Sequence, residues 1–397
     1  MNPATPSAAL RHLRILDLTR VRAGPTCCRI FADFGADVIQ IEPPEGLDPN
    51  PGMVGPRHGS DMQNLHRNKR SLTLNLKAAE GLAIFMRLVK TADVVVENYR
   101  PDVKERLGIT YEKLAEINPR IILASISGFG QTGPYRTRAG FDQIAQGMGG
   151  LMGVTGDPDG VPMRAGIAVA DSSAGNYAAI GVLIALAERE RSGKGQWVHT
   201  SLLQAQIAMM DFQAAAYLVA GKVPRPAGND HPVATPMGVV PTSDGHINIG
   251  VAGERQWAGL CKAIGRPDLE SHPDYATQDL RLRHRAQLKA ELAVAFKTRS
   301  ASEWLTALED NGVPAGPIYA MDQVFADPQV QHLRMAAPLN HPDLGRISVV
   351  ASPIVLSRTP SSIETPTVEA GANSEEILQE LGLSLPEIDV LRAHKAI

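Results

Sequence analysis

The sequence predicts an α/β fold whose main body is a large Rossmann-like domain with a parallel sheet. From Leu13 onward, short apolar runs typical of strands alternate with segments that have helical periodicity. The strand-like runs are RILDLT, DVIQIE, SLTLNL, DVVVENY and IILASISGF. Because their apolar residues are nearly continuous, these strands are expected to be covered on both faces, as in parallel sheets.

The segments between these runs predict the helices that cover the sheet. They read PTCCRIFADFGA, opened by Pro25, then AEGLAIFMRLVKTA and YEKLAEINP. A second stage from Gly140 to about Gly221 extends the same domain, with a short strand GIAVA, a long helix SSAGNYAAIGVLIALAERE and a strand WVHTSLL. Ligands of such a sheet are expected at the carboxyl ends of its strands.

A chain of 397 residues is too long for one ordinary core, so two domains are expected. The stretch VPRPAGNDHPVATP is rich in proline and glycine and predicts a linker. We therefore predict the first part of the large domain over 1–221, a linker over 222–236, a smaller inserted α/β domain over 237–322, and a linker with a return to the large domain over 323–397. The last segment, SEEILQELGLSLPEIDVLRAHKAI, predicts a terminal helix.

Composition excludes several classes of protein. The net charge of −3 is too small to attract nucleic acid. Cys27, Cys28 and Cys261 are the three cysteines of the chain and form no disulfide framework, which favours a cytoplasmic location. The N-terminal residues do not resemble a signal peptide, and no run of eighteen apolar residues occurs, so no membrane span is expected.

Familiar catalytic motifs are missing from the sequence. The turn RVRAGP offers only Gly24 where a dinucleotide fingerprint needs three glycines, which argues against an NAD or FAD enzyme. No GxxxxGK[ST], GxSxG or HExxH motif occurs, and no histidine is spaced with a second ligand on a helix face. We therefore expect no metal site and no prosthetic cofactor.

Asp171 is the most informative acidic residue, because it follows a glycine-rich loop and the apolar run GIAVA. The pattern is typical of a helix N-cap, and it also suits an exposed catalytic carboxylate kept ionised by the amino end of a helix. Backbone N–H groups near Gly149 and Gly150, or at the start of the helix, are expected to stabilise an oxyanion.

Basic and polar residues follow the early strands and predict a binding site for a phosphate-bearing nucleotide. Tyr99 is available to line a base pocket. The alternative, that these charges are only solvated, remains open on spacing alone. The residues are Arg20, Arg22, Arg67, Lys69, Arg70, Lys77, Asn98, Tyr99, Arg100 and Arg106.

Taken together, several segments resemble the family III CoA transferases, the CaiB/BaiF or formyl-CoA transferase family. They are LDLTRVRAGP, FGADVIQIEPPEG, KRSLTLNLK, ADVVVENYRPDVKERLG, SISGFGQTGPY, GFDQIAQGMGGLMGVTGDPDG and GIAVADSSAG. The resemblance continues through GKGQWVHTSLLQA, ATPMGVVPTSDGHINI, GVPAGPI and EEILQELGL, and so runs over nearly the whole chain.

The resemblance implies a subunit whose insertion forms a small domain, and an interlocked homodimer. It implies that Asp171 is the nucleophile and that coenzyme A binds as an acyl-CoA substrate. The implied CoA contacts are Arg22, Ala23, Leu74, Lys77, Asn98, Tyr99, Arg100, Arg106, Ala139, Gly140, Phe141 and Asp142.

Departures from the family pattern bear on the substrate. Pro43 stands where some relatives place an arginine against the nucleotide, and the glycine-rich loop of the oxalate-using relatives is not visible between Gly228 and Gly250. The sequence looks more like relatives acting on succinyl-CoA and other dicarboxylates. Racemases of the superfamily use a histidine where this chain has Phe141, so a two-base racemase loses one partner. An acyl-CoA racemase and a non-catalytic CoA-ester-binding protein remain the alternatives.

Overall fold

The computed structural model describes residues 7–48, 51–53 and 55–397. The described residues divide into two compact units, the first formed by those between 7 and 151 with 165–215 and 329–397, and the second by 152–164 and 216–328. These boundaries differ from the predicted ones, because 216–236 and the separate stretch 152–164 belong to the second unit. The expectation that no signal peptide is present concerns in part residues 1–6, which lie outside the described residues.

The first unit is organised around a six-stranded sheet in the order β3-β2-β1-β4-β5-β6. All its described strand pairs are parallel. The strands are β1 Arg14–Asp17, β2 Asp37–Glu42, β3 Arg70–Thr73, β4 Val94–Glu97, β5 Ile122–Ser127 and β6 Trp197–Ser201. From β1 the chain first adds β2 and β3 on one side and then β4, β5 and β6 on the other. Ligands of open α/β sheets bind at the point where the order changes in this way, here between β1 and β4.

Each face of this sheet packs a separate hydrophobic core. Ile15 of β1 belongs to one core and its neighbour Leu16 to the other, as the alternation of side chains along a strand requires. The first core includes Phe31 and Ala174, and the second includes Phe85. Burial on both faces explains why the strand sequences are continuously apolar.

The remaining elements complete the two units. The helices are α1 Ala23–Asp33, α2 Ser60–His66, α3 Ala79–Val89, α4 Pro101–Leu107, α5 Tyr111–Ile117, α6 Asp142–Met148, α7 Val169–Ser192, α8 Leu202–Ala208, α9 Asp211–Ala220, α10 Glu254–Ala263, α11 Gln278–Arg283, α12 Arg285–Phe296, α13 Ala301–Asp310, α14 Met321–Ala326, α15 Pro328–His332, α16 Ser374–Glu380 and α17 Leu385–Ala393. The second unit has an antiparallel sheet of β7 Met237–Pro241, β8 His246–Gly250 and β9 Ala315–Pro317, and its core includes Trp257 and Trp304. In the first unit β10 Ala336–His341 pairs antiparallel with β11 Gly345–Val350.

Two predicted elements are wrong. The run GIAVA forms no strand; its last two residues already belong to α7. Both edges of β5 are paired, by β4 and β6, so the sheet leaves no place beside β5 for another strand. The terminal segment forms two helices instead of one, because Gly382 adopts a φ of +82° and Pro386 opens α17.

Helix α7, with 24 residues, is long and apolar enough to cross a membrane by length and composition. Half of the apolar stretch of this helix is buried inside the protein, and Ala170, Ala174 and Val182 belong to the first core. Core helices of soluble proteins pass the same test, so the length and apolarity of α7 are accounted for by its packing against the sheet. Tyr177, Ile180, Leu183 and Ile184 of the same helix remain exposed.

Candidate active site

A cavity of about 220 Å³ lies at the carboxyl ends of β1, β4 and β5 and holds Asp171. The loop after each strand contributes to its wall: Arg22 follows β1, Arg100 follows β4, and Gly128 follows β5. A second cavity of about 700 Å³ lies in the same unit, and Tyr99 lines both.

Asp171 is the third residue of α7, and not its N-cap. The helix begins at Val169, and the N-cap residue Ala168 offers no side-chain hydrogen bond. The N-cap interpretation of the sequence is therefore wrong, because the helix starts three residues earlier than an N-cap at Asp171 would require. The Asp171 side chain is left available to the cavity.

The start of α7 is capped by Asp142, which comes from α6. Asp142 Oδ1 accepts hydrogen bonds from the backbone N–H of Ala170 at 2.8 Å and of Asp171 at 3.2 Å. Asp142 Oδ2 accepts one from Gln146 Nε2 at 2.6 Å. Asp142 is buried and is not among the residues that line the cavity, and its described hydrogen bonds go to α7 and to Gln146 of α6. Its implied contact with CoA stays a prediction.

The environment raises the pKa of the Asp171 carboxyl from 3.8 to about 6. Burial is the main cause, since it disfavours the charged form, and the nearby Asp142 adds to the rise; Arg22 opposes both. The pKa of Asp171 therefore rises, whereas the amino end of a helix by itself would lower it. With a pKa near 6, most of Asp171 is still ionised at neutral pH, and its carboxylate is more basic than an ordinary aspartate.

Four arginines line the cavity, and Asp171 is its sole carboxylate among the described lining residues. Arg22 pairs with Asp61. Arg100 lies 3.4 Å from a carboxylate oxygen of Asp102, and Arg136 lies 2.5 Å from one of Glu105. Arg138 stacks on the Tyr135 ring, with 3.8 Å between the guanidinium carbon and the ring centroid. The cavity is therefore suited to an anion beside the carboxylate.

Sequence reasoning missed Arg136 and Arg138. Both stand in the stretch RTRA, directly before the GFD segment that was recognised. Two arginines next to a loop expected to contact the ligand were the signal that could have found them. Ser127 and Gly128, at the end of β5, also line the cavity and were not singled out as site residues.

The loop residues Ala139, Gly140 and Phe141 line the cavity, together with Arg22, Ala23, Asn98, Tyr99 and Arg100. That these residues contact CoA stays a prediction. Gly140 packs directly on Gly128. A Cβ built on Gly140 would lie 2.6 Å from the Cα of Gly128, and one built on Gly128 would lie 2.7 Å from the Cα of Gly140. The two backbones approach so closely that neither position has room for a side chain.

The larger cavity takes the other predicted CoA contacts, Leu74, Lys77, Tyr99 and Arg106. Much of its remaining wall is apolar, and Pro43 is one of its lining residues. Tyr99 is hydrogen-bonded through its backbone N–H to Glu97 at 2.8 Å, and burial raises the pKa of its phenol. An apolar cavity rimmed by Lys77 and Arg106 suits a planar base linked to phosphates.

Gly149 and Gly150, whose N–H groups were predicted to stabilise an oxyanion, lie at the end of α6. The N–H of Gly149 donates to the carbonyl of Ala145 at 2.7 Å, and that of Gly150 to Gly147 at 3.3 Å. Neither glycine is among the residues that line the cavity, and both N–H groups already have carbonyl partners. Their role toward an oxyanion stays a prediction.

Three basic residues of the predicted nucleotide site form ion pairs with aspartates of the protein itself. Arg67 donates to Asp33 at 2.7 Å, Lys69 to Asp17 at 2.8 Å, and Arg70 to Asp37 at 2.8 Å. The first two pairs are almost fully buried.

His58, His341 and Asp343 bring ligand atoms close enough to consider a metal ion. His341 Nδ1 accepts hydrogen bonds from the backbone N–H of Asp343 at 3.1 Å and of Leu344 at 3.2 Å. The ring proton must then sit on Nε2, and a protonated nitrogen cannot bind a metal. This tautomer makes the cluster a poor metal site.

Comparison with known proteins agrees with this architecture. Residues 10–373 match the sequence model of CoA-transferase family III. The chain is 41% identical to the succinate–glutarate CoA-transferase of Agrobacterium fabrum, covering 94% of this chain and 95% of that protein. It is 37% identical to the human succinyl-CoA:glutarate CoA-transferase, over 94% of this chain and 86% of the other. The crystal structure of a CaiB/BaiF family protein from Brucella suis superposes with a TM-score of 0.83 at 35% identity, covering 95% of this chain and 100% of that one.

The chain therefore belongs to family III of the CoA-transferases. It is an enzyme of the CoA-transferase class, as several relatives of that name support.

Proposed function

We propose that the enzyme moves CoA from succinyl-CoA, or another dicarboxylyl-CoA, to a free carboxylic acid through covalent intermediates on Asp171. The observation that carries this proposal is the isolation of one carboxylate of raised pKa in a cavity lined by four arginines. A basic carboxylate in such a place can attack a thioester, and the cations can receive the charge that leaves.

The reaction proceeds by exchange of one activated carbonyl for another. An oxygen of Asp171 attacks the thioester carbonyl, the C–S bond breaks, and CoA leaves as thiolate, giving a mixed anhydride. The thiolate then attacks the Asp171 side-chain carbonyl and releases the donor acid as a carboxylate, giving an aspartyl-CoA thioester. The acceptor carboxylate attacks this thioester, and the returning thiolate takes the acceptor acyl group and frees Asp171.

No step consumes a net proton or an external energy source, since each anionic nucleophile releases another anion. The chemistry therefore asks the protein to hold the CoA thiolate near Asp171 while the acids exchange. The smaller cavity would hold the thioester, and the larger one the nucleotide end, with Tyr99 between them.

The dicarboxylate preference is supported by charge and by relatives. Arg138 carries a guanidinium stacked on Tyr135, and no carboxylate of the described residues forms an ion pair with it. A second carboxylate, carried by the acyl group of the substrate, would form an ion pair with the Arg138 guanidinium. Similar proteins are named for succinate and glutarate, and one from Chloroflexus aurantiacus, 36% identical, for succinyl-CoA and D-citramalate.

We also propose that the enzyme is a homodimer whose subunits interlock, with the inserted domain as the small domain. The exposed apolar side chains Tyr177, Ile180, Leu183 and Ile184 of α7 support a partner surface, since such contiguous apolar groups are usually covered. Light scattering of the purified protein tests this: a dimer mass is expected, and a stable monomer at micromolar concentration would contradict it. The cytoplasmic location stays a prediction.

The reaction is tested by incubating the enzyme with succinyl-CoA and a panel of free acids. Mass spectrometry should detect new thioesters, and their absence with every acid would refute CoA transfer. Loss of optical activity from a chiral 2-methylacyl-CoA would indicate a racemase, and binding without either reaction a CoA-ester-binding protein. Quenching during turnover and digestion should yield a hydroxylamine-sensitive adduct on the peptide that contains Asp171.

A further inference from the structure

We propose that Asp142 is a positioning residue of the transfer reaction: it fixes the backbone of Asp171, and its negative charge favours the acylated, uncharged state of the Asp171 side chain. The inference rests on the proposed function. It assigns to Asp142 a role different from the CoA contact that the resemblance implied.

The positioning role follows from the hydrogen bonds at the start of α7. The first N–H groups of a helix have no partners within the helix, and here those of Ala170 and Asp171 donate to Asp142 Oδ1 at 2.8 and 3.2 Å. Asp142 Oδ1 thus accepts a hydrogen bond directly from the backbone N–H of the residue that carries the nucleophile. A displacement of the Asp142 side chain would move the backbone that carries the nucleophile.

Asp142 is itself held by Gln146, one turn further along α6. Gln146 is fully buried; its Nε2 donates to Asp142 Oδ2 at 2.6 Å and to the carbonyl of Ile167 at 3.2 Å. Its Oε1 accepts from the N–H of Ala165 at 2.8 Å. Asp142 and Gln146 together fasten the segment from Ala165 to Asp171, so the cap is a built arrangement in which every oxygen has a donor.

The electrostatic role follows from the place of this charge. Asp142 is the acidic group that acts on the Asp171 carboxyl, and Arg22 is the basic one. The strand β5 and helix α8 contribute only uncharged cavity residues, Ile126, Ser127 and Leu202. The remaining titratable groups of the cavity wall are Tyr99, Arg100, Arg136 and Arg138.

Acylation of Asp171 removes its charge. When its oxygen attacks the thioester, the negative charge leaves with the CoA sulfur, toward a wall that carries arginines, and the repulsion from Asp142 ends. Loss of the acyl group, by hydrolysis or by reversal of the attack, restores the negative charge of Asp171 and with it the repulsion from Asp142. Asp142 therefore raises the free energy of the ionised nucleophile without touching the substrate, and it should affect turnover more than substrate binding.

The test compares Asp142→Asn with Asp142→Glu in the full-length enzyme. Asparagine keeps an oxygen for the two N–H groups but loses the charge, whereas glutamate keeps the charge. The pH dependence of kcat/KM for succinyl-CoA reports the ionisation of Asp171 in the free enzyme. Asp142→Asn should move the acid limb, expected near the pKa of about 6, downward by roughly 0.5 to 1 pH unit, and Asp142→Glu should leave it in place.

Two further measurements separate charge from packing. Asp142→Asn should lower the fraction of Asp171 trapped as adduct by about threefold or more, the equivalent of half a pKa unit, while KM changes little. Gln146→Leu, which loosens the cap but keeps the Asp142 charge, should slow turnover without moving the acid limb. If Asp142→Asn does not fold, Asp142→Ser still offers the helix an uncharged oxygen and should produce the same displacement.

An acid limb that is unchanged in the uncharged variants, or equally displaced in Asp142→Glu, would overturn the inference. Failure of the proposed function looks different, because the wild-type enzyme itself would then give no adduct on Asp171. An adduct in the wild type together with an immobile acid limb rejects only the role of Asp142.

Discussion

The Arg138 guanidinium carbon lies 3.8 Å from the centroid of the Tyr135 ring, on the wall of the cavity that holds Asp171. The ring orients the guanidinium without neutralising it, because an aromatic face attracts a cation but leaves its N–H donors free to bind oxygen. Arg138 is thereby prepared for a carboxylate that the substrate brings.

Replacing Arg138 by alanine should therefore lower kcat/KM for succinyl-CoA by about 10- to 100-fold, the range expected for a lost hydrogen bond to a charged group. Butyryl-CoA, which has the same carbon chain without the second carboxylate, is the matched control and should be affected much less. Steady-state kinetics with both thioesters measure the difference. Equal losses for the two substrates would show that Arg138 serves CoA or the fold instead.

Asp171 should weaken the native state at neutral pH. Its pKa of about 6 in the folded protein lies above the ordinary 3.8, so the folded state binds the proton more tightly and stability falls as pH rises through this range. The difference corresponds to at most roughly 3 kcal/mol. Asp171→Asn should raise the melting temperature of the ligand-free enzyme at neutral pH, and the gain should vanish as pH falls toward 4.

Asp159→Asn is a suitable control, because Asp159 is exposed and its replacement removes the same formal charge. Thermal melts of the three proteins across the pH range give the comparison. A stabilisation by Asp171→Asn that persists unchanged at acid pH would argue against a raised pKa. In the same variant, CoA transfer should fall by several orders of magnitude.

Lys77 should contribute to CoA binding through its charge. It is exposed at the rim of the larger cavity, beside the apolar wall that suits a base. Lys77→Ala should weaken the affinity for CoA by about 3- to 30-fold, and less at high salt, because a partly solvated ion contact is screened. Isothermal titration at two salt concentrations measures this. Lys90→Ala, at an exposed lysine that lines neither cavity, should change nothing.

Gly140 should not tolerate alanine. The added Cβ would lie 2.6 Å from the Cα of Gly128, so the loop that carries Ala139 and Phe141 must move away from the end of β5. Overpacking of this kind typically costs about 1 to 3 kcal/mol. We expect reduced stability and a strong loss of transfer activity.

Gly245→Ala is the control for this substitution, since a Cβ there meets no atom within 4 Å. Melting temperature and turnover of the two variants measure the effect. Normal activity in Gly140→Ala would mean that the loop position is unimportant for the cavity.

Much of the first unit was predictable because its strands obey local rules. The segment DVIQIE was predicted residue for residue as β2, since an apolar run bounded by turn signals has few alternatives. GIAVA follows the same local rule, yet it forms no strand, because a sheet position depends on the pairing of distant segments. The terminal helix was predicted too long because the break at Gly382 depends on a left-handed backbone that glycine permits but does not require.

The sequence by itself determined the alternation of strands and helices, the family, and the placement of Asp171 near a helix start. Tertiary structure alone decided what surrounds that carboxylate. Asp142 caps the helix from 29 residues away, and Arg67 and Lys69 turn inward to Asp33 and Asp17 instead of toward a ligand. The reason is physical: periodicity and turn chemistry act over a few residues, whereas burial, charge pairing and pKa depend on which distant side chains the fold brings within hydrogen-bonding distance.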